Sequence, residues 1–405
     1  MSTTTCAFRV RGVCPGRNLI VTSLACLLGW LVASPACHAG MMRLLPLQQP
    51  TNAVRWEPWR ISPNGRWVGG SFSDAQGMRH GVVWRDLSVV YTVSPSGDAQ
   101  NASITDVNDF GIAIGNFSGP GWAVSGFVAS SSGTRVLDGF SGMPNQSRAN
   151  AINNNGRIVG QAVGGPYRDV FQSAVWEVSA GAGSPINLHY ALGFEDRYFG
   201  LEGSFAEAVT EAGQVLGGHS IPGQPGRGYL ANSDLTMGFH GLLGNPPVME
   251  GHITATSSHG DGVAGFRYAV ADTPFAQGLH TNSDEAFANG GFFGTWTNLS
   301  INPMAVNDKG IVVGPRRVFN DAFIYANQTY TQLDFLLSQA DRYLINQIRG
   351  ASDITNQGLI AVQTDSPVGY LLAESTPVPE PSVTVMFLLG TTSVLFIRRR
   401  RRAAD

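Results

Sequence analysis

Residues 150–161 read NAINNNGRIVGQ. One apolar residue, Ile152, leads into three asparagines, Gly156 follows, and the apolar pair Ile158-Val159 comes next. Short polar side chains in such a place bond nearby backbone amides and initiate turns. The glycine can take φ > 0, which a tight hairpin turn often requires. The stretch predicts strand, turn, strand, with both strands buried.

The same pattern returns through the chain. It reads RISPNGRWVGG at 60–70, TDVNDFGIAIGN at 105–116, EAVTEAGQVLGG at 207–218, TATSSHGDGVAGF at 254–266, MAVNDKGIVVGP at 304–315 and SDITNQGLIAVQ at 352–363. The turn glycines are Gly65, Gly111, Gly156, Gly213, Gly260, Gly310 and Gly358, separated by 46, 45, 57, 47, 50 and 48 residues. Three residues before each stands a short polar side chain: Ser62, Asn108, Asn153, Thr210, Ser257, Asn307 and Thr355. In the fifth copy an extra residue around Gly260-Asp261-Gly262 leaves the register open. A period of about 49 residues points to a propeller or another repeat array.

A third strand follows most copies: HGVVWRD, SGFVASS, QSAVWEV, RGYLANS and DAFIYAN. A fourth is visible as SVVYTV, TRVLDGF and YTQLDFLL. Four antiparallel strands per period make one propeller blade, and a fully paired ring leaves no long exposed edge. The last copy supplies only three strands, SDIT, LIAVQT and VGYLLAE, while MMRLLPL at 41–47 resembles an isolated fourth. The expectation is an all-β, seven-bladed β-propeller-like domain over residues 40–376, closed by that N-terminal strand. Two inserts, at 186–205 and 331–350, are each expected to form a short helix between blades. In the second, Leu333, Leu336, Leu337, Ala340 and Leu344 recur at roughly helical spacing and predict core packing.

The composition agrees. Of 405 residues 50 are glycine and only 14% are charged, which suits many turns and short strands and excludes disorder. Lysine occurs once, at Lys309. The N-terminus has a basic start (Arg9, Arg11, Arg17), an apolar stretch from Leu19 to Val32, and small residues before Gly40. This is the pattern of a secretory signal peptide over 1–39, cleaved between Ala39 and Gly40. Cleavage after Ala36 is the rival reading, and a lipoprotein acceptor at Cys37 a third. All four cysteines, Cys6, Cys14, Cys26 and Cys37, lie inside this segment. The mature chain then has no disulfide, no thiol nucleophile and no thiolate metal site. Residues 40–376 carry 18 basic against 27 acidic side chains, a net charge of −9. An acidic body without basic clusters argues against nucleic acid as a partner.

Residues 377–405 close on different chemistry. Pro379-Glu380-Pro381 precedes an apolar run, Val383 to Ile397, and then Arg398, Arg399, Arg400, Arg401 and Arg402. The run is shorter than the ~20 residues of a comfortable span, but flanking arginines snorkel and hold that end on the cytoplasmic side. Order, spacing and position resemble the PEP-CTERM sorting signal. That resemblance implies a transmembrane helix, transient membrane retention and processing near the triplet by an exosortase-type enzyme. The body, through ANAINNNGRIVG, SAVWEV and DAFIY, resembles the HAF-type extracellular repeats of bacterial surface proteins, which implies an exported propeller-like domain.

The search for chemistry is sparse. HExxH, GxSxG and Walker patterns are missing. His252 and His259 beside Asp261 read as polar loop residues rather than a metal pair. Glu195-Asp196 and Asp284-Glu285 could supply paired carboxylates for glycoside chemistry. Trp122, Tyr167 and Trp296 could stack on sugars or seal blades. The sequence assigns no catalytic residue, no metal ligand set and no cofactor. Its leading functional expectation is a non-enzymatic surface or matrix protein associated with exopolysaccharide or biofilm. The alternative is a carbohydrate-active enzyme or lectin on the same scaffold. Several acidic residues converging on the central channel would favour an enzyme; aromatic and amide groups there would favour binding. For the N-terminus, sequencing of the exported form should return Gly40 or a near neighbour, and a start at Met1 would refute cleavage.

Overall fold

The computed structural model describes residues 42–97, 99–119, 124–140, 146–163, 170–181, 183–194, 203–220, 227–241, 249–256, 262–269, 277–282, 296–299, 304–315, 321–326 and 329–374. The chain divides into two compact units, Met1–Ala39 and Gly40–Asp405, and every described residue belongs to the second. The terminal segments read as signal and sorting tail, and the turn at Gly260, lie outside the described residues.

The second unit is all-β, a propeller-like arrangement of four-stranded antiparallel blades. β1 (Met42–Pro46) stands apart in sequence from its sheet. β2 (Ala53–Ile61), β3 (Trp67–Asp74), β4 (Arg79–Arg85) and β5 (Ser88–Val93) pair in order. So do β6 (Asn101–Val107), β7 (Ala113–Ser118), β8 (Val124–Ser130) and β9 (Gly133–Val136), and one parallel bridge, Arg79 to Asn101, joins these two sets. β10 (Ser147–Ile152) to β13 (Ile186–Asn187) include β11 (Arg157–Val163) and β12 (Phe171–Glu177). β14 (Gly203–Val209), β15 (Val215–Ser220), β16 (Arg227–Ala231) and β17 (Met237–Gly241) form the next sheet. β18 (Met249–Thr256), β19 (Gly262–Ala269), β20 (Gln277–Asn282) and β21 (Trp296–Leu299) follow, then β22 (Ala305–Val306), β23 (Val312–Pro315), β24 (Ala322–Ala326) and β25 (Thr329–Gln332). The last sheet contains β26 (Ile348–Ile354), β27 (Ile360–Thr364) and β28 (Tyr370–Glu374), and its fourth strand is β1, which pairs antiparallel with β28 from Met42–Glu374 to Pro46–Tyr370.

The first strands of the sheets neighbour one another in chain order, from β2 and β6 through β10, β14, β18 and β22 to β26, and β26 neighbours β2. The core lies between consecutive sheets. Val83 packs with Ile104 and Phe127, Ile114 with Ile158 and Trp176, and Val159 with Ala206 and Tyr229. Each apolar pair after a turn thus seals one blade against its neighbour.

The turns explain how the sheets stay in register. Gly65, Gly111, Gly156, Gly213, Gly310 and Gly358 all have φ between 70° and 85°. The amide of each donates to the carbonyl of the polar residue three places earlier, as Gly156 does to Asn153 at 3.1 Å. That polar side chain is buried, and where it is asparagine it works in two directions. The Asn153 Oδ1 accepts from the Arg157 amide (2.9 Å), and its Nδ2 donates to the Thr210 carbonyl in the next turn (3.0 Å). Asn108 donates likewise to the Asn153 carbonyl, and Asn307 to the Thr355 carbonyl. A second relay runs beside it. The amides of Asp109, Asn154 and Asp308 donate to side chains of Asn154, Glu211 and Asn356 in the following turns. At the first turn Pro63 has no amide to give, and Asn64 donates to Asp109 instead (2.8 Å).

The inserts differ from the expectation in one respect. The first carries the helical turn α1 (Leu188–Ala191). The second holds two turns, α2 (Leu333–Leu336) and α3 (Gln339–Arg342), because Leu337 between them is extended. Leu333 and Leu337 are buried against Met42 and Leu44 of β1, but Leu344 is exposed.

Deleting residues 41–48 removes two core side chains of β1, bares the β28 edge, and takes away the carbonyls of Leu47 and Gln48 that accept from the Trp56 and Trp84 indoles. The expected loss is about 5 kcal/mol, seen as a fall in Tm of about 7 °C. A truncated protein that melts like the intact one would show that β1 does not fasten the array.

Candidate functional site

The first strands β2, β6, β10, β14 and β26 carry a bulge at a fixed place, as does β18 between Ile253 and Ala255, whereas β22 pairs with β23 without a slip. Register slips between Pro58 and Arg60, Ile104 and Asp106, Ala149 and Ala151, Ala206 and Ala208, and Ala351 and Asp353. The residues skipped are Trp59, Thr105, Asn150, Glu207 and Ser352. Each stands six places before its turn glycine, and in the β22 copy that place belongs to Met304. A bulge leaves its residue unpaired and re-aims the side chain.

Opposite the bulges of β6, β10 and β14 the second strand makes room with glycine. A Cβ on Gly160 would lie 1.9 Å from the Arg148 carbonyl oxygen, one on Gly217 2.0 Å from that of Phe205, and one on Gly115 2.1 Å from that of Ser103. Any side chain there would press the bulge flat. The glycine of the AIG, IVG and VLG endings is therefore a condition for this bulge geometry.

The re-aimed residues meet. Trp59, Thr105, Asn150, Glu207, Met304 and Ser352 all line one open cavity of about 310 Å³, with Arg60 and Arg79. Since they come from sheets spread through the chain order, the cavity lies where the first strands gather. A neighbouring cavity of about 130 Å³ shares Arg60, Asn150, Glu207 and Met304 and adds Asp106 and Asp353.

Three carboxyl groups thus converge, but their roles differ. Asp106 accepts from the amides of Val107 (2.8 Å) and of Ile152 in the next sheet (2.9 Å). Asp353 accepts in the same way from Ile354 (2.9 Å) and Ile61 (2.7 Å), and so ties the last sheet to the first. Both are braces between blades. Glu207 has no hydrogen-bond partner among the described residues. Burial pushes the Asp106 carboxyl up to about 7 despite those bonds and the nearby Arg60. Burial likewise raises Glu207 to about 7, against the pull of Arg60 and Arg148, and it raises Asp353.

The remaining polar groups are fixed yet incompletely used. Arg60 Nη1 donates to the Ser352 carbonyl (2.6 Å). Asn150 Nδ2 donates to the Ala206 carbonyl (2.8 Å). The Trp59 indole N–H donates to Ser71 Oγ (3.0 Å), which also accepts from Arg79 Nε (2.8 Å), and the Arg79 guanidinium lies 5.4 Å from the Trp59 ring centre. The Ser352 hydroxyl is buried and has no partner.

None of these residues was singled out as a site by sequence reasoning, although the signal was present: they occupy one column of the repeat. Of the residues that were, His252 lies on β18 and pairs in register with Phe266, and Trp296 opens β21. His259, Asp261, Glu195, Asp196, Asp284, Glu285, Trp122 and Tyr167 lie outside the described residues. Among the described residues no group of His, Cys, Asp and Glu is placed to hold a metal ion, and no helix is long and apolar enough to cross a membrane.

No family model matches the chain, and no curated protein matches it. Solved structures similar to it include a putative TolB from Agrobacterium tumefaciens, at 12% identity over 60% of this chain and 79% of that one, TM-score 0.40. A chain of a mitotic checkpoint complex is 9% identical over 92% and 99%, TM-score 0.46. A puromycin hydrolase mutant complex is 10% identical over 80% of this chain and 55% of that one, TM-score 0.43. At such identities no activity passes from these proteins to this chain.

The raised carboxyls give a pH dependence of known sign. In the fold Asp106 and Glu207 keep their protons up to about pH 7, whereas an unfolded chain releases them at the ordinary carboxyl values near 4. Their contribution to stability is full below the unfolded value and lost as pH rises through about 7. Tm should fall between pH 5 and pH 8, and Glu207→Gln, neutral throughout, should make the fall shallower. A slope that Glu207→Gln leaves unaltered would show that Glu207 is ionised in the fold.

Proposed function

We propose that this chain is an exported, non-enzymatic binding protein of the cell surface or extracellular matrix. Its body is a seven-bladed propeller, and its tail is a PEP-CTERM sorting signal. The blade count is supported by the seven repeat copies, the pairing of β1 with β28, and the return of β26 to β2. The observation that carries the choice of binding over catalysis is the division of labour at the axis. Hydrolysis of a glycosidic bond uses two free carboxyl groups. Here Asp106 and Asp353 are committed to backbone amides, which leaves Glu207 alone. The convergence of acidic groups does favour the second reading, a carbohydrate-active enzyme, in one particular: Glu207 is raised to about 7, the range in which a carboxyl can serve as a general acid.

The tail supplies the location. Proline fixes φ and lacks an amide donor, so the composition of Pro379-Glu380-Pro381 disfavours both strand pairing and a helix interior. The triplet is the element that an exosortase-type processing enzyme recognises. Arg398 to Arg402 hold the end at the inner membrane until then, and release delivers the body to the surface, where exopolysaccharide or a surface protein is its partner. Epitope tags before residue 376 and after Arg402, followed in the native host, test this. The distal tag should be lost and the body recovered outside the inner membrane. Both tags retained on one inner-membrane species, unchanged by Glu380→Ala, would overturn the sorting reading.

A further inference from the structure

We infer that the axial cavity formed by Trp59, Asn150, Glu207, Ser352 and Arg60 is a binding site for one neutral, hydroxyl-rich unit, the end or side residue of a glycan. This deepens the binding reading above and rests on it.

Three observations lead there. The first is an unmet hydrogen bond. The Ser352 hydroxyl is 2% exposed as a residue, lines the cavity and has no partner. A buried polar atom without a partner costs about 1–3 kcal/mol, and a ligand hydroxyl placed in the cavity would remove that cost. The second is the kind of polar group presented. Glu207 is without a hydrogen bond, and the Asn150 Oδ1 accepts none among the described residues. Arg60 has donors left after its one bond to the Ser352 carbonyl. Planar carboxyl, amide and guanidinium groups each meet two adjacent hydroxyls, and hydroxyls alone both donate and accept. The third is an aromatic wall. Trp59 is held by its indole N–H on Ser71, and Ile104 and Met304 complete an apolar side against which ring C–H groups can lie.

Charge narrows the class. Arg60 and Arg79 stand against Glu207, Asp106 and Asp353, and burial weakens the ionisation of all three acids. A cation would meet the two guanidiniums, and an anion would meet Glu207 wherever that carboxyl is ionised. A neutral ligand meets neither penalty. The cavity, at about 310 Å³, is at the lower end of the range for small-molecule pockets, which suits one sugar unit rather than a chain.

The test uses the full-length protein with glucose, galactose, mannose, N-acetylglucosamine, glucuronate and glucosamine as probes, read by saturation-transfer NMR and calorimetry. At least one neutral sugar should bind, and it should bind more tightly than glucuronate or glucosamine. Asn150→Ala and Glu207→Gln should each weaken it at least 10-fold, with thermal melting confirming that the variants fold. Should Asn150→Ala unfold the chain, Glu207→Gln and Ser352→Ala decide the matter, since neither removes a hydrogen bond of the scaffold. Preference for the charged probes, or absence of binding by every neutral sugar, overturns the inference. Neutral-sugar binding that both folded variants leave unchanged overturns it too, while leaving glycan binding elsewhere on the surface intact. The tag experiment on sorting is independent of all these results.

Discussion

The buried polar side chain three residues before each turn glycine is the contact on which the array depends. Asn153 is the type. Its Oδ1 closes its own turn on the Arg157 amide, and its Nδ2 reaches the Thr210 carbonyl of the next. A side chain that only closed its turn would give independent hairpin sheets. One that also donates forward fixes the distance and angle from each sheet to its successor. Because it is buried, its loss would strand the partners left behind at about 1–3 kcal/mol each. Serine and threonine at the same place close the turn but have no second arm. Where Thr210 stands, the Arg157 guanidinium crosses from the previous blade to the Gly213 and Ser233 carbonyls (2.8 and 2.7 Å). It thereby reinforces the junction that Asn153 already makes with the Thr210 turn.

With the sheets held, the apolar pairs after each turn need only be apolar and of suitable size. They are sealed between blades rather than within a single central core, so the fold grows by repetition and stability comes from neighbour contacts. The last contact is made by strand pairing rather than by another turn. β1 completes the sheet of β26 to β28, and Asp353 of that sheet holds the Ile61 amide of the first. Asp106 makes the equivalent bond between the second and third sheets. The acidic residues that look most like chemistry in the axial region are, in two cases of three, part of the fastening.

The bulges convert this scaffold into a site. The bulged residues of β2, β6, β10, β14 and β26 line the cavity, and a glycine on β3, β7, β11 and β15 leaves the space that the displaced carbonyl occupies. The identities at the bulge vary widely: tryptophan, threonine, asparagine, glutamate and serine all serve. That variation is what separates ligand chemistry from architecture here, and it is why the body repeats while the cavity lining does not.

The sequence by itself determined the period, the turn glycines, the strand order within each blade and the place of the N-terminal strand. These follow from local rules: a glycine at φ > 0, a short polar side chain before it, and apolar residues in adjacent strands. It also contained the bulge column, since every member stands six residues before its glycine, but nothing local marks that column as axial. The glycine of RIVGQ reads in sequence as a gap in an apolar strand; only its approach to the Arg148 carbonyl shows why a side chain is refused there. In the same way NAINNN shows asparagines suited to a turn and cannot show which amide reaches into the next blade. The break between α2 and α3 was hidden because leucines at helical spacing also suit two short turns packed on β1. Tertiary structure decided the site because its members are drawn from strands as far apart as β2 and β26. Such a meeting is fixed by how the blades close on one another, and no spacing along the chain records it.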